Sequence, residues 1–278
     1  NLEKVEFVHL VGGGYISGDW NNSFSIFGAM QSFHEKYKKK VFATGLGLYP
    51  LAEKIPEFTI DRIRKIIEDC FSFFEVRDCE SYVSLATKTS NNIINGFDDT
   101  FLCNIESLVD IKSDKSDRAL HISAFKVQEN DRFLSAIQKT MESVGFKDVF
   151  FWESNKKDIE SLEVLKNCLR TKITVLQVKD LVNGNVKLNP LDVLITKRFH
   201  PHLICYRAGM TGIFDFGSEF YKNKHSSIIN LGSPFLPIAD CSKFNTNSRK
   251  DVDEMIEISR NKIKRILAER ILMEGLQG

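Results

Sequence analysis

Short apolar runs alternate along this chain with longer stretches whose apolar positions recur every three or four residues, and glycine-rich or polar turns separate them. Val5 to Val11 predicts a buried strand with His9 inside it, delivered into Gly12-Gly13-Gly14, where the lack of side chains lets backbone or ligand approach closely. Phe24 to Tyr37 repeats at helical spacing (Phe24, Phe27, Met30, Phe33, Tyr37) and stops at Lys38-Lys39-Lys40, a solvated run that suits a helix C-terminus. Val41 to Thr44 predicts a second strand, closed by Gly45-Leu46-Gly47-Leu48-Tyr49-Pro50. Thr59 to Cys70 predicts a helix, Phe71 to Val76 a strand, and Arg77-Asp78-Cys79-Glu80-Ser81 a loop that opens a helix through Leu85. Strand, turn and helix repeated in this order predict a parallel sheet with helices on its faces.

The pattern breaks from Ile93 to Phe101, and Asp98-Asp99 followed by Asp110 to Asp117 reads as a polar connection between two domains. The expected division is therefore 1–110, 111–245 and a C-terminal helix in 246–278. The second series has strands at Ala119 to Phe125, Val149 to Trp152, Thr174 to Val178, Leu188 to Ile195, Gly212 to Phe216 and Ser226 to Leu231. Its helices are expected at Arg132 to Val144, Ser161 to Leu169 and from His202 to Gly209. Asp251 to Leu272 is a long amphipathic helix (Met255, Ile256, Ile258, Ile263, Ile266, Leu267, Ile271), expected to pack back across the domain boundary because such a stripe needs apolar surface to cover. Trp20, Trp152 and most phenylalanines follow the element periodicity and are read as core.

Composition narrows the class without naming it. At 278 residues, 42% hydrophobic and 27% charged, the chain has the make-up of a globular protein with room for two cores. A net charge of +1 gives no global preference for nucleic acid, so any anion site must be local. Six cysteines without a CxxC pair or metal-ligand spacing fit reduced thiols in a cytoplasmic setting. No apolar run approaches the roughly 20 residues of a transmembrane segment.

Candidate chemistry concentrates in Thr196-Lys197-Arg198-Phe199-His200-Pro201-His202, which packs two cations and two imidazoles behind an apolar strand. Ligands in open α/β sheets bind outside the carboxyl ends of strands. Arg198 there offers a planar fork for a carboxylate or phosphate, and His200 can move a proton near neutrality. A helix-capping arginine and a hydrogen-bonded histidine would account for the same residues. Lys222, Lys224 and His225 form a second basic knot, expected to follow a strand. Gly12-Gly13-Gly14 and Gly45-Leu46-Gly47 fit tight turns as well as ligand contact, and Arg77 with Asp78 fits an exposed ion pair.

Taken together and in order, Gly12 to Gly14, Gly45 to Pro50, Arg77-Asp78-Cys79-Glu80-Ser81, Asp98-Asp99-Thr100-Phe101, Arg198-Phe199-His200 and Tyr221-Lys222-Asn223-Lys224 resemble the polysaccharide pyruvyl transferase family. The resemblance implies two Rossmann-like domains facing across a cleft, glycosyltransferase-B-like, with Gly12, Gly13, Gly14, Gly45 and Gly47 in cleft loops. It implies transfer of an enolpyruvyl unit from phosphoenolpyruvate onto a sugar as a ketal, with no cofactor and no metal. Arg77, Arg198 and Lys224 are then donor-binding and expected to converge on one site, and His200 is catalytic. The acceptor would be a sugar, lipid-linked or nucleotide-linked, handled in the cytoplasm or at the inner face of the membrane. Two departures stand out. No Gly-Asn-x-Gly-Asp stretch precedes Gly12, so the N-terminal domain is expected to be incomplete, and Pro201-His202 replaces the small residue usual after the Arg-Phe-His triplet. A nucleotide-sugar glycosyltransferase of the same fold, or a non-catalytic sugar-binding relative, is the alternative.

Overall fold

The computed structural model describes residues 2–18, 23–51, 54–87, 91–112, 118–246 and 252–276. Trp20, most of the Asp110 to Asp117 connection and the start of the Asp251 helix lie outside them. Backbone contacts divide the chain into two compact units, 1–102 with 258–278, and 103–257.

The first unit runs β1 (Phe7–Leu10), α1 (Ser25–Tyr37), β2 (Lys40–Leu46), α2 (Glu57–Cys70), β3 (Phe71–Val76), α3 (Cys79–Leu85) and β4 (Ile93–Asn95). Its four strands pair in parallel in the order β1-β2-β3-β4. Side chains alternate across a strand, so each strand supplies both faces. Val41, Ala43, Phe74 and Val76 point into a core with Phe27 and Phe33 of α1 and Ile60, Ile63 and Ile67 of α2. Each such valine, isoleucine or phenylalanine contributes about 1.5 to 3 kcal/mol on burial.

The second unit runs β5 (Val109–Ile111), β6 (Ala119–Ser123), α4 (Asp131–Ser143), β7 (Asp148–Glu153), α5 (Asp158–Leu169), β8 (Ile173–Gln177), α6 (Val178–Val182), β9 (Val186–Leu188), β10 (Val193–Thr196), α7 (Phe199–Arg207), β11 (Thr211–Phe214), α8 (Glu219–Asn230) and β12 (Leu236–Pro237). The main sheet is parallel in the order β12-β11-β10-β6-β7-β8, while β5 and β9 form a separate pair. Read from the other edge, that is the 3-2-1-4-5-6 order of a dinucleotide-type sheet, whose strand order reverses between β6 and β10. This reversal fixes where a ligand crevice belongs.

Two expected strands are corrected. The run from Leu188 to Ile195 is broken by a turn in which the Leu191 N–H donates to Asn189 Oδ1 and the Asn189 N–H to Asp192 Oδ2, so only Val193 onward joins the sheet. Ser226 to Leu231 is not a strand: α8 runs to Asn230 and carries Lys222, Lys224 and His225 on a helix instead of a loop.

The last helix, α9 (Glu254–Leu276), lays Leu267 and Ile271 against Phe42, Phe73, Phe7 and Ile94 on the second face of the first sheet. The expected stripe is only half right. Ile258 and Ile263 are exposed, and the buried line is Glu257, Asn261, Lys264, Leu267 and Ile271. The helix is seated by a charge as well as by apolar contact. Among the described residues, no helix is long and apolar enough to cross a membrane.

Candidate functional site

In the second unit the reversal point is built from Ser123 at the end of β6 and Thr196-Lys197 at the end of β10. The Ser123 carbonyl accepts from Thr196 Oγ1 (3.1 Å) and from the Lys197 N–H (2.8 Å), which locks the two strand ends together. The Arg198 N–H donates to Thr196 Oγ1 (2.9 Å), leaving Arg198 as the residue that caps α7. Its guanidinium lies 4.7 Å over the Phe125 ring and pairs with Asp158, a fully buried carboxylate at the start of α5 that also accepts the N–H groups of Ser154 and Asn155. Lys197 stands 3.8 Å from Asp215, whose other contact is the Asn130 amide at 2.6 Å.

The structure brings Lys224 into the same neighbourhood through aromatics. Its ammonium sits 3.7 Å over the Phe220 ring and 5.5 Å from Tyr221, and Tyr221 packs on Phe125 at 5.2 Å. Burial pushes the Tyr221 hydroxyl above its ordinary pKa, with Arg198 pulling the other way. His200 is exposed in the first turn of α7, its ring edge against Phe199. Arg198 and Lys224 thus share the Phe125–Tyr221 aromatic pair near the carboxyl end of β10, with the exposed His200 two residues along the chain from Arg198. Asp158, Asp215 and Phe125 escape the sequence reading because their partners lie elsewhere in the chain, Lys197 18 positions from Asp215, and Arg198 40 from Asp158 and 73 from Phe125. A helix opening on Asp158 directly behind a strand is the one local sign.

His202 and His225, by contrast, have no access to a ligand. Their Nδ1 atoms lie 2.9 Å apart, His202 Nε2 meets Ser233 Oγ at 2.9 Å, and both rings stack with Phe214. Burial drives both below the ordinary imidazole range, His225 to about 3 with the Lys197 carbonyl opposing. The pair is neutral packing. A cavity of about 340 Å³ lies at the opposite end of the strands, where Lys112, Arg118, Lys147 and Lys187 gather beside Phe150 and the starts of β6 and β7.

In the first unit, Arg77 does not pair with Asp78. Its Nη1 meets Asp98 at 2.7 Å with both side chains buried, while Asp78 caps α3 by accepting the Ser81 N–H at 2.8 Å. The Arg77 Nε lies where a Cβ on Gly47 would have to go, which is why that loop position has no side chain. Asp98 and Asp99 are thus not a solvated connection. Asp99 Oδ2 accepts the Gly12 N–H (2.7 Å) and Thr44 Oγ1 (2.9 Å), and its other oxygen pairs with Lys264 (2.6 Å). Gly45 at φ +60 passes so close to Asp99 that any Cβ would clash. Lys264, fully buried, also pairs with Glu75 and donates to the Phe97 carbonyl. Glycine positions 12, 45 and 47 are thereby explained by close approach, whereas a Cβ on Gly13 would meet the Tyr15 ring.

These polar groups form a layer. His9, Thr44 and Glu75 each stand two residues beyond a phenylalanine (Phe7, Phe42, Phe73) that faces α9, so strand alternation places them on the same face, closer to the carboxyl ends of their strands. Lys264 meets the polar layer one turn before Leu267 meets the aromatic one.

Among the described residues, no group of His, Cys, Asp and Glu is placed to hold a metal ion. The family model of polysaccharide pyruvyl transferases matches residues 3–210. By structure the chain is similar to a Listeria monocytogenes protein described as a UDP-N-acetylglucosamine 2-epimerase. The TM-score is 0.52 at 12% identity, covering 96% of this chain and 73% of that one, which marks a shared Rossmann-like, glycosyltransferase-B-type fold. A sequence search of curated proteins finds no match.

Proposed function

Since the chain belongs to the polysaccharide pyruvyl transferase family, we propose that it moves an enolpyruvyl unit from phosphoenolpyruvate to a sugar as a ketal. The observation that carries this reading is the placement of Arg198-Phe199-His200 at the strand-order reversal of the second sheet, inside the matched region. Phosphoenolpyruvate carries a carboxylate and a phosphate and little apolar surface. A fork-shaped cation beside an ammonium suits it.

Arg198 is assigned to the donor anion and Lys224 to the departing phosphate. Asp158 holds Arg198 in place from behind, so the guanidinium is oriented before any ligand arrives. His200, exposed at the helix start, is assigned to proton transfer. Arg77 braces the Gly45 to Gly47 loop of the first unit against Asp98. The reaction calls for no cofactor, and a cytoplasmic site is where phosphoenolpyruvate would be met.

The likeness to a protein described as a nucleotide-sugar epimerase supplies the comparison reading, a nucleotide-sugar glycosyltransferase. Thermal protection separates the two. Phosphoenolpyruvate should raise the melting temperature in proportion to the logarithm of its concentration, and Arg198→Ala should abolish the shift. Protection by UDP-sugars with none by phosphoenolpyruvate would select the other reading.

A further inference from the structure

The second unit contains a cavity that the chemistry at the carboxyl ends of its strands does not use. It holds about 340 Å³, within the roughly 300 to 1,000 Å³ of small-molecule sites. We propose that this cavity is a second carbohydrate site, taking a sugar unit that carries an anionic group, carboxylate or phosphate. The inference stands on the cavity itself and is independent of the pyruvyl-transfer reading above.

The strands prepare its floor. Leu120, Ile122, Val149 and Phe151 face the core under α4 and α5, so His121, Phe150 and Trp152 lie on the other face of the sheet. His121 and Phe150 stand opposite one another in the β6–β7 register, and their rings stack at 5.0 Å and 18°. The imidazole is held from two sides. The Trp152 indole N–H can only donate, so it gives to His121 Nδ1 (3.0 Å), and His121 Nε2–H donates in turn to Asp192 Oδ2 (3.2 Å). Fully buried and with both nitrogens committed, His121 has no group left for a ligand and acts as the backing of the Phe150 ring. Phe150 itself is half-buried and borders the cavity, together with Leu176 from β8 and Leu188 from β9. The aromatic surface is therefore oriented before any ligand arrives.

Charge gathers around that floor. Lys112, Arg118, Lys147 and Lys187 line the cavity, against the carboxylates of Asp148 and Asp192. Asp192 is already engaged: its Oδ1 accepts the Ala119 N–H (2.7 Å), and its Oδ2 accepts the Asn189 N–H (2.8 Å) besides His121. The excess of cations is local, on a chain whose net charge is only +1.

A bare anion would need no more than the cations. The rest of the lining suits a sugar ring: Asn185 and Asn189 bring amides, which donate to and accept from hydroxyls, and Phe150, Leu176 and Leu188 give an apolar wall for C–H groups. A nucleobase fits less well, since one face of Phe150 is taken by His121 and the rest of the wall is aliphatic. The cavity lies at the amino ends of β6 and β7, in the unit whose β10 leads into Arg198. An acidic sugar chain gripped there is kept at high effective concentration around this unit without occupying the Arg198 crevice.

Isothermal titration of the full chain at low salt tests the assignment. Methyl glucuronide and glucose 6-phosphate probe the two acids, with methyl glucoside, inorganic phosphate and uridine monophosphate as comparisons. At least one acidic sugar should bind about tenfold or more tighter than methyl glucoside and inorganic phosphate, with affinity falling as salt rises. The tighter of the two names the anionic group, and equal affinities mean that both serve. Lys112→Glu/Lys187→Glu, a reversal at two exposed positions, should weaken that binding by about tenfold or more, while Arg198→Ala leaves it unchanged. Binding of neither acidic sugar, equal binding of methyl glucoside or inorganic phosphate, or tighter binding of uridine monophosphate would overturn the proposal. So would binding that survives the lysine reversal or is lost in Arg198→Ala. None of these readouts requires turnover, so a failure to release phosphate from phosphoenolpyruvate bears on the pyruvyl-transfer reading alone.

Discussion

Arg77 and Arg198 are both anchored by a buried carboxylate, yet they should respond differently to substitution. Arg77→Met removes the guanidinium that neutralises the buried Asp98, which typically costs about 3 to 5 kcal/mol, whereas pairing it with Asp98→Leu removes both charges and should recover most of that loss. Urea unfolding of the three variants measures it, and an Arg77→Met protein as stable as wild type would contradict the buried pair. Arg198 is partly exposed. Arg198→Lys keeps the charge but loses the fork, so phosphoenolpyruvate affinity should fall by about 1.5 to 3 kcal/mol. His200→Gln should instead leave donor binding comparatively intact and depress turnover by roughly a hundredfold. Calorimetric titration paired with phosphate release distinguishes them; equal losses of affinity in both would refute the division of labour. Arg198 and His200 were legible in the sequence because they follow an apolar strand directly. Asp98 as the partner of Arg77 was not, since an adjacent aspartate offered the simpler pairing and turned out to be a helix cap.

At the scale of elements, α9 shows why an apolar count misleads. Its most apolar positions include Ile258, Ile263 and Ile266, all exposed, while its buried line contains Asn261 and Lys264. Helical periodicity was readable, but the choice of face depended on Glu75 and Asp99, more than 160 positions away in the chain. Strand alternation hid the complementary surface, because His9, Thr44 and Glu75 looked like interruptions in buried strands. Lys264→Met should therefore destabilise by about 3 to 5 kcal/mol by leaving two carboxylates facing each other, and Ile263→Gln by no more than about 0.5 kcal/mol. The reverse ranking in denaturant unfolding would contradict this seating of the helix. In the second unit β6, β7, β10 and β11 are each followed by a helix of ordinary length, and those strand–helix units were readable. The two misplaced strands, at Asn189 and Ser226, failed where a polar turn and a helix borrowed apolar residues.

For the whole molecule, the buried His202–His225 pair ties stability to pH. Their folded pKa values lie below the unfolded one, that of His225 at about 3, so the unfolded chain binds more protons than the folded one below the ordinary imidazole value near 6.5. Stability is then complete above that value and is lost as pH falls, by up to about 1.4 kcal/mol per pH unit for each imidazole. A His202→Gln/His225→Gln protein should be less stable at neutrality but flatter between pH 6 and 4, and parallel slopes for the two proteins would deny the pair its role. Function at this scale reduces to one claim, that the donor is phosphoenolpyruvate and the product a ketal. Incubation with carbon-13-labelled phosphoenolpyruvate and a pool of free, lipid-linked and nucleotide-linked sugars, followed by mass spectrometry, tests it most directly. The account predicts an acceptor heavier by labelled pyruvate less one water, formed with stoichiometric phosphate release and roughly a hundredfold more slowly in His200→Gln. Label remaining in phosphoenolpyruvate while a nucleotide sugar is consumed would contradict it.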